Sequence, residues 1–273
     1  VMIPKIIHYV WVSDKPKPDS VLKCIASWKK YCPDWEIKEW NNAVLDEIDC
    51  QYVREAFEAK KWAFVSDYIR LYALQKFGGI YMDTDVEVTA PLDDFLQHDF
   101  FMGHENWYGE FSVSTALIGA IPEHHIVNGI LEMYHKLTFL KPDGTMDMTP
   151  NPSRFCEYFV KKLSAPNLHI GTTTIALAEN CVIYPWWYFC IPSKGKPNWA
   201  IHHFDASWVE GWDRKEKKQF KLGHMIFKLI RLTKRSQKIK NNHPVPLADN
   251  EKLILKTQWF NKKHYAIVLV QED

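Results

Sequence analysis

One stretch constrains this chain more than any other. Phe57 to Phe77 carries apolar residues at helical spacing (Phe64, Ile69, Leu71, Tyr72 and Leu74), and Gly78-Gly79 stops it as a C-terminal cap does. Ile80-Tyr81-Met82 then reads as a short buried strand that delivers Asp83-Thr84-Asp85 at its end. A helix feeding a strand through two glycines is the repeating unit of an α/β domain, and it leaves two carboxylates one residue apart at the strand's mouth.

The flanking sequence has the same logic. Ile3 to Val12 is apolar on both faces, as for a strand inside a parallel or mixed sheet. Pro18-Asp19-Ser20 supplies helix-start chemistry ahead of Val21, Ile25 and Trp28, and Trp35 to Trp40 alternates as a second strand. Further strands are expected at Phe100–Met102, Ala116–Ile118, Val182–Tyr184 and Ala200–His203, and helices at Ile126–Leu137 and Arg154–Leu163. At 273 residues one large core with a small appendage is expected. Six scattered cysteines without a Cys-x-x-Cys pair read as reduced thiols.

Charge divides the chain. Between Gly211 and His243 eleven basic residues face two acidic ones, a net +9 in a chain whose formal charge is +1. The expected organisation is a catalytic domain over 1–212 and a basic amphipathic extension over 213–273. With Leu222, Ile226 and Leu229 at i, i+4 and i+7, the extension reads as helical, and 214–240 suits an anionic membrane surface. The balanced total makes no case for nucleic acid. No apolar run approaches the length of a membrane span, and no secretory segment is visible. The expected location is cytoplasmic, peripheral on the inner face of a membrane.

Two adjacent carboxylates raise each other's pKa unless a cation relieves them, and hard oxygen ligands suit Mn2+ or Mg2+ bridging a diphosphate. Asp67 and Arg70 lie three apart on the preceding helix, hence on one face. Ala63-Phe64-Val65-Ser66-Asp67-Tyr68-Ile69-Arg70 followed by Gly78-Gly79-Ile80-Tyr81-Met82-Asp83-Thr84-Asp85 resembles the Och1-like and capsular-polysaccharide glycosyltransferases with a DXD sugar-binding region. The glucosyltransferase domains of clostridial toxins have a similar pattern, and Ile3 to Trp11 resembles the group's first strand. The resemblance implies a GT-A fold, a Rossmann-like nucleotide-binding mixed sheet flanked by helices. It also implies a retaining transfer from a UDP- or GDP-hexose.

Carried over by position, the resemblance implies that Trp11 stacks on the base and Val10 offers backbone contacts. Asp67 and Arg70 hold sugar hydroxyls, Tyr81 lies near the phosphates, Asp83 contacts ribose and sugar, and Asp85 ligates the metal. It implies a late element at Ala200–Trp208, with His203 as second metal ligand and Ser207 and Trp208 near the phosphates; His202 reads equally as a core residue. The acceptor class it implies is a glycan or lipid-linked oligosaccharide. A toxin-like protein glycosyltransferase and a metal-dependent phosphohydrolase are the alternatives; for the latter, Glu87 stands where Thr or Val is wanted.

Overall fold

The computed structural model describes residues 2–12, 15–107, 110–165, 167–204, 218–222, 225–231, 252–259 and 263–272. The chain opens with strand β1 (Ile6–Val10), helix α1 (Asp19–Tyr31), strand β2 (Glu36–Trp40), and helices α2 (Gln51–Glu58) and α3 (Trp62–Phe77). Strands β3 (Gly79–Met82), β4 (Val86–Val88), β5 (Phe100–Trp107) and β6 (Glu110–Ala120) follow. Helices α4 (His125–His135) and α5 (Asn151–Leu163) lead to β7 (Ile175–Ala178), β8 (Cys181–Tyr184) and β9 (Ala200–His202).

Seven strands form one sheet in the order β2-β1-β3-β6-β5-β8-β7. β1 is parallel to β2 and β3, and β5 is parallel to β8, whereas β6 runs against both β3 and β5. Residues of α2, α3, α4 and α5 share one buried apolar cluster, and those of α1 share another with Ile80, Met82 and Phe189. Helices thus cover both faces of a mixed sheet, as expected for the GT-A-like α/β domain. The six cysteines are free thiols.

The α3–β3 turn needs its glycines. Gly78 has φ +63° and Gly79 φ +105°, a region that side chains strain to enter. A Cβ on Gly79 would sit 2.6 Å from the Ile6 carbonyl oxygen, and one on Gly78 2.6 Å from Pro122 Cδ. His8 Nε2 meets the Gly78 carbonyl at 2.7 Å, while Trp40 Nε1 donates to His8 Nδ1 at 3.1 Å. Burial lowers the His8 pKa to about 4, so the ring is neutral and serves as donor and acceptor at once.

Two expectations are corrected. The helix read across Phe57–Phe77 is two helices, broken at Lys60, which adopts φ +56°. Adjacent Lys60 and Lys61 leave no apolar residue to keep the stripe going, and α3 buries most of its circumference instead. The basic extension is not helical where it is described. Lys218–Leu222 (β10), Met225–Arg231 (β11), Lys252–Trp259 (β12) and Lys263–Glu272 (β13) form an antiparallel sheet in the order β10-β11-β13-β12. Met225, Phe227 and Leu229 alternate with period two as readily as Ile226 and Leu229 recur with a helical one. The choice falls to pairing with the distant apolar run of β13, where Phe227 faces Leu269 and Leu229 faces Ile267.

Candidate active site

All the carboxylates singled out from sequence meet at one sheet edge. β3 ends at Met82, and the Asp83 amide bonds the Ala116 carbonyl of β6 at 2.8 Å. The chain then turns tightly, with the Val86 amide on the Asp83 carbonyl at 3.1 Å, and enters β4. Trp11 follows β1 at the same edge, its amide bonded to the Trp40 carbonyl at 2.8 Å and its indole N–H donating to the Lys15 carbonyl at 3.0 Å. Val10 is buried at the end of β1.

On α3, Arg70 gathers the charges. Its Nη2 lies 2.9 Å from Asp67 Oδ1 and 3.4 Å from Asp83 Oδ1, and its Nη1 donates to the Thr115 carbonyl at 2.5 Å. The guanidinium also stacks on the Tyr81 ring at 4.6 Å, and the Tyr81 hydroxyl donates to Asp83 Oδ1 at 2.7 Å. Arg70 and Asp67 are buried. Burial pushes the Asp67 carboxyl up to about 6 although Arg70 pulls it down, and burial likewise raises Asp83 against the same arginine.

The late element arrives through a small second sheet. β4 and β9 pair antiparallel, Val86 opposite His202 and Glu87 opposite Ile201. Successive strand residues point to opposite faces, so only one of the two histidines can turn toward the aspartates. That one is His202: its Nε2 is 3.3 Å from Asp85 Oδ1. His203 turns outward and bonds Glu87 Oε2 at 2.9 Å, its amide meeting the Asp85 carbonyl at 3.0 Å. The histidine beside Asp85 is thus His202, whereas the expected ligand His203 lies against Glu87. Sequence spacing carries no signal for the choice, because it depends on register with β4. Ser207 and Trp208 lie outside the described residues.

Asp83, Asp85 and His202 each offer a ligand atom, and these atoms lie within 4.8 Å of one another. Burial alone would discharge His202, yet Asp85 outweighs it and raises the histidine's pKa; in return His202 holds Asp85 below the ordinary carboxylate range despite its burial. Two carboxylates and an imidazole at a desolvated edge fit a divalent cation of the Mn2+ or Mg2+ kind. The buried His202 Nδ1 has no hydrogen-bond partner among the described residues, and the ring is oriented by Asp85 and by the Phe204 ring at 4.1 Å.

Residues 18–102 match the family described as a glycosyltransferase sugar-binding region containing a DXD motif. An uncharacterised glycosyltransferase of Acanthamoeba polyphaga mimivirus is 24% identical over 191 residues, covering 67% of this chain and 74% of the relative. The mannosyl phosphorylinositol ceramide synthase SUR1 of Saccharomyces cerevisiae is 28% identical over 134 residues, which cover 45% of this chain and 32% of that protein. Among solved structures, the PaToxG glycosyltransferase is similar with a TM-score of 0.44 and 18% identity, covering 60% of this chain and 71% of that one. Over residues 18–102 the chain thus matches a glycosyltransferase sugar-binding region containing a DXD motif, and Asp83-Thr84-Asp85 is the acidic motif within that match.

Proposed function

We propose that this protein is a metal-dependent glycosyltransferase that moves a hexosyl group, with retention, from a nucleotide-sugar to a glycan or lipid-linked acceptor. The convergence of Asp83, Asp85 and His202 beside Arg70 carries this reading: Asp67 and Asp83 share one arginine with Asp85 close to Asp83, and a donor diphosphate would add more negative charge. Asp83, Asp85 and His202 would hold the divalent ion, which when bound neutralises charge developing on the departing nucleoside diphosphate.

The chain's own groups do the rest. Asp67 accepts hydrogen bonds from donor-sugar hydroxyls, and Arg70 donates to a sugar or phosphate oxygen. The Tyr81 hydroxyl fixes the Asp83 rotamer. Trp11 presents its ring to the base, a stacking contact worth about 1–3 kcal/mol in comparable sites. Fixed donors aimed at developing charge need no reorganisation during the reaction, which is the main source of rate.

The names of the fungal relatives favour mannose as the sugar and an inositol-bearing lipid as the acceptor class. Among the described residues no helix is long and apolar enough to cross a membrane, so a lipid acceptor would be reached at a surface. The amphipathic-helix argument for that surface falls with the helix, whereas the +9 charge of 211–243 still favours anionic lipid. The deciding experiment is a hydrolysis screen across UDP- and GDP-hexoses with and without Mn2+. One donor turned over only with metal is expected; equal turnover without metal would remove the metal from the reaction.

A further inference from the structure

The strand that follows the acidic motif stands apart from the main sheet. β4 and β9 span three residues each and form a two-stranded sheet of their own. Two strands alone are marginally stable in water. Yet this pair continues the Asp83–Asp85 turn on one strand and carries His202 on the other, with Val86 opposite His202. The spacing of the cluster therefore depends on what else holds β4.

The alternation of backbone hydrogen bonds identifies that support. The Asp85 carbonyl accepts the His203 amide at 3.0 Å, and the Thr89 amide donates to the Trp199 carbonyl at 2.8 Å, so the odd positions turn their backbone toward β9. Val86 and Val88 turn theirs to the other edge. Helix α1 meets them there. The Trp28 indole N–H donates to the Val86 carbonyl at 2.8 Å, and the Val88 amide donates to the Ser27 hydroxyl at 2.9 Å. Ser27 gives its own proton to the Cys24 carbonyl at 2.6 Å, which leaves the oxygen aimed at β4 as an acceptor. Two consecutive helix residues thus close an edge that would otherwise offer its backbone to water or to another strand.

Trp28 is the fixed end of this clamp. Its side chain is fully buried in the cluster that α1 shares with Val86 and Val88, and its ring meets Tyr9 of β1 edge-on at 5.5 Å. One side chain therefore ties the main sheet, α1 and β4 together. The Val86 amide closes the motif turn on the Asp83 carbonyl at 3.1 Å. A shift of Val86 would carry the turn with it, and through the β4–β9 register it would carry His202 as well. Ligand atoms already held at the spacing an ion needs bind it without first having to order a strand.

Resting on the metal-dependent reading above, we propose that Trp28 is a positioning residue for the metal site: with Ser27 it clamps the outer edge of β4 and so sets the spacing of Asp83, Asp85 and His202. Being fully buried, it reaches neither the ion nor the donor.

The test titrates the full chain with Mn2+, alone and with UDP or GDP present, and reads free Mn2+ from its EPR signal; thermal melts without metal run alongside. Trp28→Phe keeps an aromatic ring beside Tyr9 and removes the N–H, and Ser27→Ala removes the second contact. Val21→Ala, an apolar position on the same helix and in the same cluster, reports loosened packing alone. In the condition where the wild type binds, the Mn2+ Kd should rise about tenfold in Trp28→Phe and about threefold in Ser27→Ala. In Val21→Ala it should stay within about twofold even though the melting temperature falls. If Trp28→Phe does not fold, Ser27→Ala against Val21→Ala decides the matter. Unchanged Mn2+ affinity in the folded clamp variants, or a rise in Val21→Ala as large as theirs, would overturn the proposal. A wild type that leaves all Mn2+ free in every condition would instead defeat the metal reading, and the role of the clamp with it.

Discussion

Among the described residues two arginine–aspartate pairs are buried, Arg70–Asp67 at 2.9 Å and Arg154–Asp147 at 2.7 Å, with side chains 5% and 11% exposed in both cases. Their surroundings separate them. Arg154 stands 5.5 Å from the Tyr52 ring and 5.2 Å from that of Tyr134, and Asp147 Oδ1 accepts from the Thr149 hydroxyl at 2.6 Å and amide at 3.1 Å. One positive charge meets one negative charge at contact distance and Asp147 is well satisfied, although Arg154 Nε finds no partner among the described residues and the arginine's charge also reaches Asp67. Arg70 instead answers to Asp67 and Asp83 together, with Asp85 and Glu105 close enough to act on Asp83 and its surroundings. Burial alone does not mark a functional site; a buried surplus of one sign does.

The comparison breaks most sharply at Asp85. Asp85→Asn removes a ligand from the open cluster and one of its mutually repelling charges. Transfer at saturating Mn2+ should fall about 10³-fold, while the metal-free melting temperature falls only slightly, by the loss of the Asp85–His202 contact that holds the ionised carboxylate. Steady-state rates and a thermal melt decide it. A melting temperature lowered by several degrees would make Asp85 a structural group and dissolve the contrast with Asp147.

The closed pair should respond in the opposite currency. Arg154→Ala leaves Asp147 buried without its cation and should cost about 3 kcal/mol in denaturant unfolding, since breaking one partner of a buried pair is strongly destabilising. Replacing both residues together, Arg154→Met with Asp147→Leu, should recover much of that loss. If the double variant were no more stable than the single one, the pair's role would lie beyond charge closure.

What the sequence disclosed, and what it withheld, follows the same division. Asp67, Arg70, Asp83 and Asp85 sit in one helix–turn–strand unit, where helical spacing and the Gly78-Gly79 stop are enough to bring them together. The strands β1, β2 and β8 and helices α1 and α4 are likewise set by local period and caps. Choosing His202 over His203 required the register of β9 on β4, a pairing of segments far apart in the chain. The same lack hid the full length of β5, because only Phe100–Met102 reads as strand, while the extension to Trp107 is made by pairing with β6. Met225–Arg231 was misread as helix because its partner, β13, lies beyond any local window.

Protonation offers a finer separation of the two pairs. Asp67 holds its proton to about pH 6, above the ordinary 3.8 that it regains on unfolding, whereas Asp147 is held below its ordinary value: burial would raise it, but Thr149 and Arg154 outweigh that. A raised acid stabilises the fold fully below its unfolded pKa and loses that contribution as pH rises through the folded value. Between about pH 4 and 6 the metal-free protein should therefore lose about 2–3 kcal/mol on account of Asp67. Asp67→Asn should flatten this part of the profile in denaturant titrations at each pH. Glu105 titrates higher, with its pKa near 7, so the difference between wild type and variant isolates Asp67. An unchanged slope would mean that Asp67 is ionised throughout and Arg70 fully answers it.

The smallest effect concerns the two histidines, and it tests whether surplus charge alone defines the cluster. His202 shares the open side with Asp83 and Asp85, whereas His203 is half-exposed and bonded to Glu87. His202→Gln should raise the Mn2+ concentration for half-maximal activity about tenfold, in line with the loss of one ligand or its orienting contact. His203→Gln should change it by less than about threefold, an exposed pair being worth well under 1 kcal/mol. Manganese titration of both variants against the wild type gives the order directly. A larger shift for His203 would mean that β9 presents its other face to the aspartates, and the strand register that joins β9 to β4 would have to move by one residue.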